Sequence, residues 1–95
     1  MNKIMYFDTI ECCNFKLVFT PPLGVKVSDL KGWVLGENDL YKIISVGRNE
    51  KEMIDLFSEV FCDLYVFFKK HVNMKTNKYV SLVRKNLEGI EKIGK

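Results

Sequence analysis

Few side chains in this sequence are equipped for chemistry. His71 is the only histidine, and it follows two lysines. A general acid or base needs a partner and a cleft, and its neighbours supply neither, so it reads as an exposed residue at a helix end. The cysteines are Cys12, Cys13 and Cys62. A reactive thiol needs an adjacent base or cation; none is identifiable beside Cys12 or Cys13, and Cys62 reads as a small core or boundary residue in a helix. There is no C-x-x-C and no paired histidine, hence no zinc pattern. Adjacent cysteines seldom bond across one trans peptide, and an odd number of thiols is most simply reduced and cytoplasmic. Two-metal nucleases gather carboxylates from neighbouring strands. Of Asp8, Glu11, Glu37 and Asp39, all in the β part, Asp8 on the first strand is the candidate, whereas Glu37 and Asp39 read as turn residues. The enzyme alternative is thus a degenerate nuclease through Asp8 or a thiol enzyme through Cys12. Nothing calls for a metal or a cofactor, and the leading reading is not an enzyme.

Binding is better supplied. Residues 1–72 hold nine Lys/Arg against ten Asp/Glu, and residues 73–95 hold six against two, so the basic excess belongs to the C-terminal element. Lys78, Arg84, Lys85 and Lys92, with Lys69, Lys70, Lys75 and Lys95, form a candidate phosphate-contacting row, although a solvated helix face has the same composition. Lys78 and Lys85 are seven residues apart, about two helical turns, and line up. Trp33, Tyr41 and Tyr65 are candidate partner contacts, because large amphipathic aromatics carry interface energy well; core packing is the competing role for each.

These residues must be positioned by one domain spanning 1–95. Residues 3–11 and 14–20 read as two strands joined at "CCN", the second alternating Phe15, Leu17 and Phe19 against Lys16, Val18 and Thr20. The prolines of "TPPLG" are expected to end that strand. Extended structure resumes at Val25, with Gly32 as a turn or bulge before Trp33. "GEND" at 36–39 reads as a turn, and 40–46 as the returning strand of a second hairpin. After Gly47, Asn49 is placed to cap a helix, with Glu52 three residues on to return the hydrogen bond. Met53, Ile54, Phe57, Val60, Phe61, Leu64, Tyr65 and Phe68 then make one apolar stripe, on a rod of roughly 33 Å. A break at "VNMKT" precedes a second helix over 77–93, capped by Thr76 or Asn77 and carrying Tyr79, Val80, Val83, Leu87, Ile90 and Ile93. The fold class is α+β: a small antiparallel sheet of about four strands, one long helix packed on it, and a second C-terminal helix. No apolar run is long enough to span a bilayer, and the N-terminus lacks the apolar core of a secretory signal.

The stretch "LYKIISVGRNEKEMIDLFSEVF", with Gly47, Asn49, Glu52 and Met53 at its strand-to-helix joint, resembles the HicB-like antitoxins over about residues 33–68. The family's P-x-L-P-G segment is absent from the corresponding place, since "TPPLG" lies earlier. The resemblance implies a partial RNase H-like fold without an active site that binds and blocks a small toxin. The leading expectation is therefore a non-catalytic interaction protein that neutralises a small protein partner. A nucleic-acid-binding protein using the basic C-terminal helix is the alternative. An open sheet edge needs cover, and a homodimer is one way to supply it.

Overall fold

The computed structural model describes residues 2–71 and 77–94. The elements run β1 (Lys3–Glu11), β2 (Phe15–Leu30), β3 (Trp33–Asn38), β4 (Ile43–Gly47), α1 (Glu50–Lys70), α2 (Lys78–Glu88) and β5 (Glu91–Gly94). The architecture is α+β, with an antiparallel sheet in the order β1-β2-β3-β4 and α1 laid across one face. The break expected at 72–76, with Lys75 and the alternative cap Thr76, lies outside the described residues, as do Lys95 and the side chain of Tyr79.

Three boundaries differ from expectation, each for a local reason. The prolines do not end the second strand. β2 runs through them, with a cis Thr20–Pro21 bond, because its register against β1 jumps there from Leu23↔Phe7 to Val18↔Thr9. Residues inside that bulge have no ladder partner, so a missing N–H costs nothing. The second hairpin turns later than "GEND". Gly36 and Glu37 remain in the ladder against Ser45 and Ile44, and the chain turns after Asn38, whose Oδ1 accepts the Tyr41 N–H at 2.8 Å. Finally, α2 stops at Glu88 and β5 replaces its expected last turn. Gly89 caps the helix, and 91–94 pair with Phe15–Val18 on the side of β2 that β3 leaves vacant. The β2–β3 turn at Lys31-Gly32 has both residues at positive φ, the backbone that matches the twist of a two-residue hairpin.

Amphipathic spacing decides what α1 covers. Met53, Phe57, Phe61, Tyr65 and Phe68 are its buried side chains. They meet Ile10, Leu17, Phe19, Leu23, Val25, Val27 and Ile43 of the sheet, and Val83 and Leu87 of α2 close the end of the same core. The helix start is fixed by its cap. Asn49 Oδ1 accepts the Glu52 N–H at 2.9 Å, and Glu52 Oε1 accepts the Arg48 N–H at 3.0 Å, one residue before the cap rather than at the cap itself. Lys3 of β1 adds an exposed ion pair to Glu50 at 2.8 Å, of small energetic value at a surface.

Two glycines let the first turn of α1 sit directly on the sheet. A Cβ on Gly47 would lie 2.5 Å from the Met53 backbone nitrogen, and one on Gly36 would lie 2.3 Å from Met53 Sδ. The obstacle is backbone in the first case and the tip of a flexible side chain in the second. Gly47→Ala is therefore expected to cost about 2–3 kcal/mol, and Gly36→Ala about 1 kcal/mol as Met53 swings aside. Urea midpoints of the two variants check this; equal losses would place the helix start elsewhere.

Candidate docking face

Side chains alternate across a strand, so covering one face of the sheet leaves the other to be judged on its own. β4 reads Ile43, Ser45 and Gly47 inward, all buried, and Ile44 and Val46 outward, both exposed. The outward register continues across the sheet. Ile4 pairs Lys26, Lys26 pairs Glu37, and Glu37 pairs Ile44 in one row. Ser28, Leu35 and Val46 form the next row, and Leu30 lies opposite Trp33 beyond it. Tyr6 pairs Gly24 on the other side and leans over it, as does Ile4, each within 3.6 Å of where a Cβ would be. Ile4, Tyr6, Leu30, Trp33, Ile44 and Val46 are all exposed. They form an apolar surface interrupted by the adjacent Lys26–Glu37 pair and by Ser28. No described helix packs on it.

The aromatic candidates separate cleanly. Trp33 stands on this outer face, 42% exposed, with the Arg48 guanidinium 4.6 Å above its ring. Tyr41 and Tyr65 are 6% and 3% exposed and belong to the core, the packing role their apolar surroundings also allowed. Tyr41 packs edge-on to Phe61 at 4.9 Å and donates its hydroxyl to the Asn86 carbonyl at 3.4 Å. Burial raises its pKa above the ordinary 10.0. A phenol held neutral in the fold stabilises it below that value, and the contribution fades only as pH rises past it. Tyr65 lies against Phe15 at 5.8 Å. Among the exposed outward residues, Ile4, Tyr6, Leu30, Ile44 and Val46 escaped the sequence reading, although strict alternation in "IISVG" was a signal for the last two.

The basic candidates do not form one row. Lys78 and Lys85 are exposed on α2. Arg84 is turned inward, donating from Nη2 to the His71 carbonyl at 2.9 Å and lying over Phe68 at 5.5 Å. Lys92 sits on β5, over the Phe15 ring at 5.0 Å. It shares a cleft of about 290 Å³ with Lys69 and Lys70 from the end of α1, and no acid lines it.

The reactive candidates are dispersed. His71 caps α1, its Nδ1 2.8 Å from the Phe67 carbonyl and its ring stacked on Phe67. Asp8 is exposed at the β1 bulge, and Glu37 lies within β3 instead of a turn. Cys12 and Cys62 are joined in a disulfide across a separation of 50 residues, with Cα atoms 5.8 Å apart. This corrects the expectation of reduced thiols: the pair is distant in sequence, and only the docking of α1 beside the end of β1 brings it together. The bond also withdraws the Cys12 sulfur from any nucleophilic role in this state, leaving Cys13 as the exposed free thiol. Among the described residues, no group of three or more His, Cys, Asp or Glu is arranged to hold a metal ion, and no helix is long and apolar enough to cross a membrane.

No protein-family model, curated protein or solved structure matches this chain.

Proposed function

We propose that this chain is a non-catalytic, antitoxin-like binding protein that holds and neutralises a small partner protein on the outer face of its sheet. The observation that carries the reading is that face: exposed Ile4, Tyr6, Leu30, Trp33, Ile44 and Val46 on the outer side of strands β1 to β4. Isolated exposed apolar residues need no explanation, whereas six on one face of paired strands, grouped on either side of Lys26 and Glu37, mark an interaction surface. Trp33 is its anchor, since a partly covered indole gains most from the burial that docking completes. The HicB resemblance, carried by the capped joint at Gly47–Met53, adds a partner class: a small toxin.

Co-expression with a small protein encoded beside this one in its source genome tests the proposal. The expected result is a co-eluting complex and restored growth of cells expressing the partner. A Trp33→Asp, Ile44→Asp variant should remain folded and lose both, by at least a hundredfold in affinity. Full rescue by that variant would rule out the outer face as the binding surface.

A second reading rests on the acid-free cleft between Lys69, Lys70 and Lys92: a phosphate backbone held at the α1–β5 junction. Replacing these three lysines with glutamine should then remove RNA or DNA retention at low salt. Unchanged retention eliminates it, and the corresponding set Lys78, Arg84, Lys85 and Lys92 is less suited because Arg84 is engaged in packing.

A further inference from the structure

The outer face has a symmetry that its registers make explicit. Across the sheet, the central row reads Ile4, Lys26, Glu37, Ile44, one residue from each of β1, β2, β3 and β4. The line between β2 and β3 divides it into an apolar–basic half and an acidic–apolar half. A two-fold axis lying along that line in the plane of contact would turn a second copy face to face with the first. Lys26 would then oppose Glu37 of the copy, Glu37 would oppose Lys26, and Ile4 and Ile44 would oppose each other. The same operation sets Leu30 against Trp33, which are partners across the same line.

We infer that, in the absence of its protein partner, this face is covered by a second copy of the chain, packed sheet on sheet about a two-fold axis between β2 and β3. The inference rests on the reading of the outer face as a docking surface and supplies its resting occupant. A two-fold interface must be self-complementary, and here the only two charged residues of the central row are of opposite sign and equidistant from the proposed axis. In the dimer they form an alternating square of two lysines and two glutamates, flanked in its own row by Ile4 against Ile44, with Ser28 against Leu35 in the next row. The strands of the two copies run nearly aligned, the usual arrangement for stacked sheets.

The size of the face sets the strength. Four strands at about 4.8 Å spacing, over the rows from Tyr6 to Leu30, give roughly 400 Å² per copy. That is well under the roughly 1,200 Å² total of a stable complex. The dimer is accordingly weak and reversible, and a protein partner displaces it.

Sedimentation analysis of the full chain between 10 μM and 1 mM tests this. The wild type is expected to pass from monomer to dimer. Lys26→Glu places two glutamates against each other at both contacts, and Glu37→Lys does the same with lysines, so each variant alone should associate at least tenfold more weakly. Mixed in equal amounts, the two should recover wild-type association as a heterodimer. Both substitutions are on the surface, and circular dichroism confirms the fold. A wild type that stays monomeric throughout overturns the inference. So do single variants that dimerise normally, or a mixture that stays monomeric. If self-association behaves as described while Trp33→Asp, Ile44→Asp still holds the protein partner, only the partner assignment falls. The opposite outcome removes the dimer alone.

Discussion

Phe61→Ala is expected to lower stability by about 3–5 kcal/mol, the range for emptying a buried aromatic site. Phe61 has no exposed surface and touches three rings: Phe19 edge-on at 5.3 Å, Tyr41 at 4.9 Å and Phe57 at 6.4 Å. Phe19 comes from β2, Tyr41 from the β3–β4 turn and Phe57 from α1 itself, so the cavity would open where helix, strand and turn meet. The backbones that carry these rings are fixed by the β2 ladder, the Asn38–Tyr41 turn and α1, so little collapse can fill the space. A small domain has about 5–15 kcal/mol in total, so the variant should melt roughly 15–30 °C lower or fail to fold. Phe67→Ala is the control. Phe67 is 43% exposed, off the buried stripe of the same helix, and its truncation should cost less than about 1 kcal/mol. Comparable losses from the two variants would mean that α1 presents a different side to the sheet.

Loss of the Cys12–Cys62 bond is expected to cost about 2–4 kcal/mol. Closing a loop of 50 residues removes much of the unfolded chain's freedom, and chain-entropy arithmetic gives about 4 kcal/mol as its upper value. The bond ties the end of β1, an edge strand, to the middle of α1. Without it the first strand has only its ladder to β2 and the flank of the core to hold it. Urea curves separate this from other thiol effects. Cys12→Ser/Cys62→Ser should lose the stated amount. The wild type in a strong reductant should match that variant, and the variant itself should not respond to reductant. Cys13→Ser should behave as wild type, since Cys13 is exposed and unbonded. Three titratable thiols in the untreated native protein would contradict the pairing.

Much of the scaffold was legible in the sequence because it follows from periodicity and caps. The stripe from Met53 to Phe68 fixed the buried side of α1, and Asn49 with Glu52 fixed its start to the residue. Gly32 marked a tight turn correctly. The failures share a cause: local propensity was overruled by partners distant in sequence. "GEND" has turn chemistry, yet Gly36 is required in β3 because Met53 occupies the space its side chain would take. The prolines are strand-breakers only where a ladder needs their N–H, and the bulge opposite Asp8 needs none. β5 forms because β2 is much longer than β3 and leaves Phe15–Val18 open on that side, a fact that no window around 91–94 contains. The disulfide likewise depends on where α1 lands.

The candidate site was legible in part. Trp33 was identified from its type, and it stands exposed. Tyr41 and Tyr65 were identified by the same argument and are buried, because residue type alone does not tell which side of a strand or helix faces water. Ile44 and Val46 could have been found by applying the alternation already used for Phe15–Thr20 to "IISVG". Ile4 and Tyr6 were hidden by the bulge, which reverses the parity of β1: Met5 and Phe7 pack against the core before it and Ile10 after it.

The central claim is that α1 seals one face of the sheet and the other is where this protein binds its partner. Methyl NMR of the chain, titrated with each candidate partner that co-purifies with it, reads this directly. Ile4, Leu30, Leu35, Ile44 and Val46 point outward, while Ile10, Leu17, Leu23, Val25, Val27 and Ile43 report on the sealed core. The account expects large shifts or broadening in the first group, with the Trp33 indole, and small changes in the second. Shifts confined to Val80 and Leu82 of α2, with the outward methyls of the sheet unmoved, would contradict it.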